Sequence, residues 1–113
     1  ANAFGCQFAG QIDEKLVIDC AQRYIDTGID SLTIADTIGV ATPRQVNSLV
    51  ALLLRRSPEV EITLHLHNTG GLGITNVFAG ISAGIRNPVL SFSHVNLQID
   101  IFRTNLLLAA NLY

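Results

Sequence analysis

Glu61-Ile62-Thr63-Leu64-His65-Leu66-His67 alternates polar and apolar residues without a break. A period of two marks a β-strand, because successive side chains leave the backbone on opposite faces. Ile62, Leu64 and Leu66 therefore share one face, and Glu61, Thr63, His65 and His67 share the other. The apolar face needs a layer of helices over it. The polar face, ending in two imidazoles, needs a watery interior. A parallel barrel with helices outside meets both needs and puts His65 and His67 at its C-terminal mouth.

Helices flank this strand on both sides. Upstream, Thr42-Pro43-Arg44-Gln45 reads as a capping box, with Thr42 as N-cap, Pro43 in the first helical position and Gln45 three residues after the cap. Val46, Leu49, Val50, Leu53 and Leu54 follow at helical spacing, and Ser57-Pro58 ends the run. Further upstream a short strand over residues 31–35 stops at Asp36. Before it lies a helix over residues 13–27 with an apolar stripe of Leu16, Val17, Cys20, Ala21, Tyr24 and Ile25, stopped by Gly28. Downstream, a third helix begins near Leu72, carries Ile74, Val77, Phe78 and Ile81 on one face, and closes at Gly84. A strand end is expected just before Gly5. Gly5 to Asp36 is 31 positions and Asp36 to His67 is 31 again, the length of one strand-loop-helix-loop unit. The fold class expected is α/β, because equal units in series suit a parallel barrel or an open parallel sheet. Asn87-Pro88 reads as a turn, residues 89–95 as a strand, and residues 99–112 are apolar enough for a poorly capped helix.

The composition narrows the function classes. Of 113 residues, 49% are apolar and 14% charged, and mean hydropathy is +0.39, as expected where faces meet further parts of a larger fold. Net charge is −2 with no basic run, so nucleic acid is not expected as a partner. No apolar run approaches the roughly 20 residues of a membrane span, so no membrane is expected either. Two cysteines, Cys6 and Cys20, without metal-finger spacing, suit a reducing compartment. The expected location is cytoplasmic, or the mitochondrial matrix in a eukaryote. A start at Ala1 and the lack of Met suggest an internal fragment.

His65 and His67 are the strongest chemical candidates. Neighbouring half-buried imidazoles repel when both are protonated, and a bound cation lets both stay neutral. A solvated edge strand is the alternative. Asp36, at the end of the previous strand, could face the same mouth as acid or base, or could instead make an Asx-type bond to its own loop. Thr69-Gly70-Gly71-Leu72-Gly73 opens a helix and could receive an anion there, or serve only as a turn. Cys6 is expected at the same mouth as a small packed thiol, and Cys20 in the core.

Taken together, Phe4-Gly5-Cys6 with Gly10, Ala35-Asp36-Thr37-Ile38-Gly39-Val40-Ala41-Thr42-Pro43 and His65-Leu66-His67-Asn68-Thr69 resemble the HMG-CoA lyase family. The likeness continues through Asn76-Val77-Phe78-Ala79-Gly80 to Gly84-Ile85. It implies a metallolyase of (β/α)8 TIM-barrel fold, of which this chain is a C-terminal-half fragment, a partial barrel of about three βα units. By position, His65 and His67 match the metal histidines, and Asp36 matches an acidic residue implicated in catalysis. Asn68, Thr69 and Cys6 fall at substrate-binding or supporting positions. The cofactor implied is Mg²⁺ or Mn²⁺ and the partner an acyl-CoA. The reaction implied splits 3-hydroxy-3-methylglutaryl-CoA into acetyl-CoA and acetoacetate.

The chain departs from the family at Asn68, where Asp is usual, and at Gly70, where a larger residue is usual. The family's Gly-rich loop with its catalytic Cys, and an Asn metal ligand, have no counterpart in residues 86–113. Its remaining metal carboxylate and catalytic Arg belong to the barrel's first half. Residues 1–85 are therefore expected to form the partial barrel and 86–113 a divergent tail, with the chain inactive by itself. Two alternatives remain open: a fragment of a related acyl-CoA condensing enzyme of the isopropylmalate or homocitrate synthase type, and a non-catalytic fragment dependent on a partner chain. The second implies an oligomer or a missing half-barrel.

Overall fold

A computed structural model of the chain describes residues 2–86, 88–92, 95–100 and 107–112. The expected strand end before Gly5 is a parallel bridge of Asn2 with Ala35, where the Ala3 N–H donates to the Ala35 carbonyl at 2.9 Å. A small antiparallel hairpin follows, β1 (Gly5–Cys6) against β2 (Gly10–Gln11), which the sequence pattern did not announce. Helix α1 (Glu14–Ile25) starts on Asp13, whose side chain caps it by accepting from the Lys15 N–H. Then come β3 (Ser31–Asp36), α2 (Pro43–Arg56), β4 (Glu61–His67), α3 (Gly73–Ala83) and β5 (Pro88–Phe92). The expected capping box is present in both directions at Thr42 and Gln45, a stabilisation of about 1 kcal/mol.

β3, β4 and β5 form a parallel sheet, the βαβ arrangement a barrel repeats. Its helix-covered face is the core: Ile34 from β3, Ile62, Leu64 and Leu66 from β4, and Val46, Leu49, Val50 and Leu53 from α2. Each fully buried Leu or Val among these contributes roughly 1.5–3 kcal/mol relative to exposure. Beyond β5 the sheet changes direction. β6 (Val95–Asp100) pairs antiparallel with β5, and β7 (Leu107–Leu112) antiparallel with β6. The helix expected over residues 99–112 is thus corrected where it is described, because residues 99–100 and 107–112 are strand. The short apolar run from 106 to 110 has no period that separates a strand from a helix, and residues 99–100 end the alternating stretch Val95 to Asp100.

Two helix faces also differ from expectation. On α1 the buried residues are Ile18 and Ala21, while Leu16, Tyr24 and Cys20 are exposed, so Cys20 is not core. On α3, Gly73, Asn76, Val77 and Gly80 face inward, and Ile74 and Phe78 face outward. The reason on α3 is proximity. Gly80 sits so close to the Leu64 side chain that no Cβ fits, which draws the small-residue face to the sheet. The Asn76 amide then reaches the Ala41 carbonyl at 2.8 Å. Among the described residues β3 is an open edge apart from the Asn2 bridge. Beside it a groove of about 450 Å³ runs under α1, lined by Leu16, Cys20, Tyr24, Leu32 and Ile34 among others.

Candidate metal centre

The alternation of β4 places its residues as expected. Ile62, Leu64 and Leu66 are buried under the helices; Thr63, His65 and His67 are half-buried on the opposite face, which no described helix covers. The two imidazoles lie one above the other, ring centroids 5.2 Å apart and planes 18° from parallel. They stand at the C-terminal end of the strand. Burial, then the His67 ring, then the N-terminal amine hold His65 below its ordinary value, favouring the neutral ring that can donate a lone pair to a cation. Two stacked imidazoles on one face suit two positions in the coordination shell of a divalent ion. Among the described residues no third His, Cys, Asp or Glu joins them. A hard cation would need oxygen donors besides.

Asp36 is elsewhere. It pairs in register with Leu66, and Ala35 with His65, so the carboxylate leaves the sheet on the helix side. It is 1% exposed, and its two oxygens accept the Val40 N–H at 3.0 Å and the Ala41 N–H at 2.9 Å. The expectation that Asp36 faces the histidines' mouth is corrected; the loop-bonding alternative describes its geometry. Asn68 follows the histidines directly, and its Oδ1 accepts the Gly73 N–H at 2.8 Å, tying the loop to the start of α3. Thr69 is exposed beside Gly39. The Gly70 and Gly71 N–H groups are occupied within the loop rather than offered to an anion: Gly70 donates to the Gly39 carbonyl, Gly71 to the Asn68 carbonyl.

Cys6 is half-buried in the β1 hairpin. The N–H groups of Phe8 and Ala9, and the Asn2 side chain, hold its thiol below the usual range against a contrary push from burial. It opens on a cleft of about 610 Å³ with Phe4, Ile38, Val40 and Gln45, a cleft that neither histidine lines. Sequence reasoning missed Asn76, whose buried amide anchors α3 to the loop after β3; its place in a polar-apolar helix pattern gave no signal of burial.

The HMGL-like family model matches residues 1–89. This chain belongs to the HMGL-like family. Among its curated relatives, an (R)-citramalyl-CoA lyase of Chloroflexus aurantiacus is 44% identical over 75% of this chain and 27% of its own length. A hydroxymethylglutaryl-CoA lyase of Bacillus subtilis is 34% identical over 75% of this chain and 28% of its own. A solved HMG-CoA lyase from Acinetobacter baumannii, in complex with coenzyme A and 3-methylmalate, superposes with a TM-score of 0.72 at 44% identity, covering 78% of this chain and 29% of that one. The fold is therefore the α/β fold of the HMGL-like barrel, present as a few βα units. The chain spans a little over a quarter of the length of the curated relatives it matches. No described helix is long and apolar enough to cross a membrane.

Proposed function

We propose that this chain supplies the cation-holding histidine pair of an acyl-CoA lyase that breaks a carbon–carbon bond in a 3-hydroxyacyl-CoA, with 3-hydroxy-3-methylglutaryl-CoA the substrate put forward. The observation that carries this reading is the stacking of His65 on His67 at the C-terminal end of β4. His65 and His67 would hold Mg²⁺ or Mn²⁺, and such an ion when bound supplies Lewis-acid polarisation of substrate oxygens. The chain's own residues do the positioning. Leu64 and Leu66 anchor β4 beneath the helices. Asn68 ties the loop behind His67 to α3. Thr69 and Cys6 are offered as substrate-side or supporting residues, Thr69 for its exposed place next to the pair.

The lyase reading is preferred to the condensing-enzyme reading because the relative at 44% identity is a lyase. Two imidazoles without acidic partners bind a hard cation weakly, so the chain by itself is proposed to be inactive. A second reading, dependence on further barrel units or a partner chain, draws on the open β3 edge and the apolar groove under α1. A cytoplasmic or mitochondrial-matrix location is proposed from the free thiols Cys6 and Cys20.

The test is a chimera in which residues 31–85 replace the equivalent stretch of the Bacillus subtilis relative. The expected result is Mg²⁺-dependent release of acetoacetate, abolished by His67→Ala, while the 113-residue chain alone releases none. A folded chimera indifferent to His67→Ala would overturn the assignment.

A further inference from the structure

The loop after β3 and the loop after β4 are in direct backbone contact, and Asp36 is what shapes the first of them. Its carboxylate takes the Val40 and Ala41 N–H groups, while its carbonyl accepts the Gly39 N–H at 3.3 Å. These bonds close a turn in which Gly39 adopts φ 69°. The outcome is that Gly39 presses on the residues that carry His67. A Cβ built there would lie 2.8 Å from the Thr69 nitrogen, 2.9 Å from the Thr69 Cβ and 3.1 Å from the His67 carbonyl oxygen. In the other direction the Gly70 N–H donates to the Gly39 carbonyl at 3.1 Å, and a Cβ on Gly70 would collide with that same carbonyl oxygen. Both approaches are too close for any side chain.

We propose that Asp36 is a positioning residue for the histidine pair, acting through the Gly39 turn on the backbone of residues 67–70. The relation to the metal site rests on the function proposed above; the loop coupling itself does not. Asp36 is turned away from the face that carries the histidines, so its carboxylate reaches them through this loop contact rather than directly. A buried carboxylate with both oxygens engaged by N–H groups is a rigid clamp, and groups that orient metal ligands at one remove affect affinity about 10- to 100-fold.

The experiment compares the unsubstituted chain with Asp36→Asn, Gly39→Ala and Gly28→Ala. Asn can accept only one of the two N–H groups. Gly28 has φ 84° with nothing within 4 Å of a Cβ, so Gly28→Ala carries the backbone strain of Gly39→Ala without its contact. Amide hydrogen exchange at Gly70 and the ring resonances of His67 are the readouts, with Co²⁺ titration as a separate arm. Asp36→Asn and Gly39→Ala are expected to speed Gly70 exchange by about tenfold, to shift the His67 ring signals and to weaken Co²⁺ binding; Gly28→Ala changes none of these. Unchanged Gly70 exchange and His67 signals in both site variants, or equal changes in Gly28→Ala, overturn the proposal. Where a variant does not fold, the unsubstituted chain decides: Val40, Ala41 and Gly70 amides must open as one unit with a common denaturant dependence, and independent opening overturns it. Failure of the unsubstituted chain to bind Co²⁺ would sink the metal reading and leave the exchange result to judge the coupling.

Discussion

Asp36 stands in register with Leu66, one position short of His67, so its carboxylate and the His67 ring leave the sheet on opposite faces. The sheet thereby divides its labour. One face is packed by helices and carries the bonds that shape the loops; the other, which no described helix covers, carries the half-buried imidazoles. The consequences can be measured.

Gly80 is buried where α3 crosses β4, and a Cβ there would force the fully buried Leu64 side chain to move. Gly80→Ala gains up to about 1 kcal/mol of helix propensity but overpacks a closed contact, at a cost of about 1–3 kcal/mol. Net destabilisation is expected, read as a lower urea midpoint at unchanged slope. An equal or higher midpoint would show that α3 stands further from the sheet.

His65 gives the chain a pH signature. Burial, the neighbouring His67 and the N-terminal amine lower its folded value below 6.5. Between that lowered value and 6.5 the unfolded chain binds more protons than the folded one, so stability is full above the window and declines as pH falls through it. The urea midpoint should drop on acidification from about pH 7.5 to 5.5, and His65→Gln should flatten that slope. A parent midpoint that stays level over this range contradicts the environment described for His65.

How much of this was legible in the sequence depends on period and register. The period of two in β4 fixed the faces of Ile62 through His67 without ambiguity, and the Thr42-Gln45 capping box marked the start of α2 within a residue. Asp36 was misplaced for a physical reason. The equal spacing of 31 aligned it with His67, but the true offset between β3 and β4 is 30, and a slip of one residue reverses the face of every side chain. From β4 to β5 the offset shortens to 24, so no fixed repeat runs through the sheet. The faces of α1 and α3 misled because hydrophobicity alone was counted. On α3 the close approach of Gly80 and the hydrogen bond of Asn76 decided which side went in, and Ile74 and Phe78 were left outside. Val95 to Asp100 alternate apolar and polar, a strand signal that the helix reading of residues 99–112 cut across, whereas residues 107–112 carry no alternation to announce their pairing.

The apolar groove under α1 and the open β3 edge predict association. In size-exclusion chromatography the isolated chain should elute well above its 12.2 kDa mass or precipitate with concentration. A concentration-independent monomer would remove the support for partner dependence.

The central claim is that His65 and His67 hold one cation between them. Titrating Mn²⁺ into the chain while following imidazole ring-proton signals tests it without any assay of turnover. Both rings should broaden together at substoichiometric Mn²⁺, and either His65→Ala or His67→Ala should remove the broadening from the ring that remains. Broadening of one ring alone, or of the remaining ring undiminished after its neighbour is removed, would contradict a shared site.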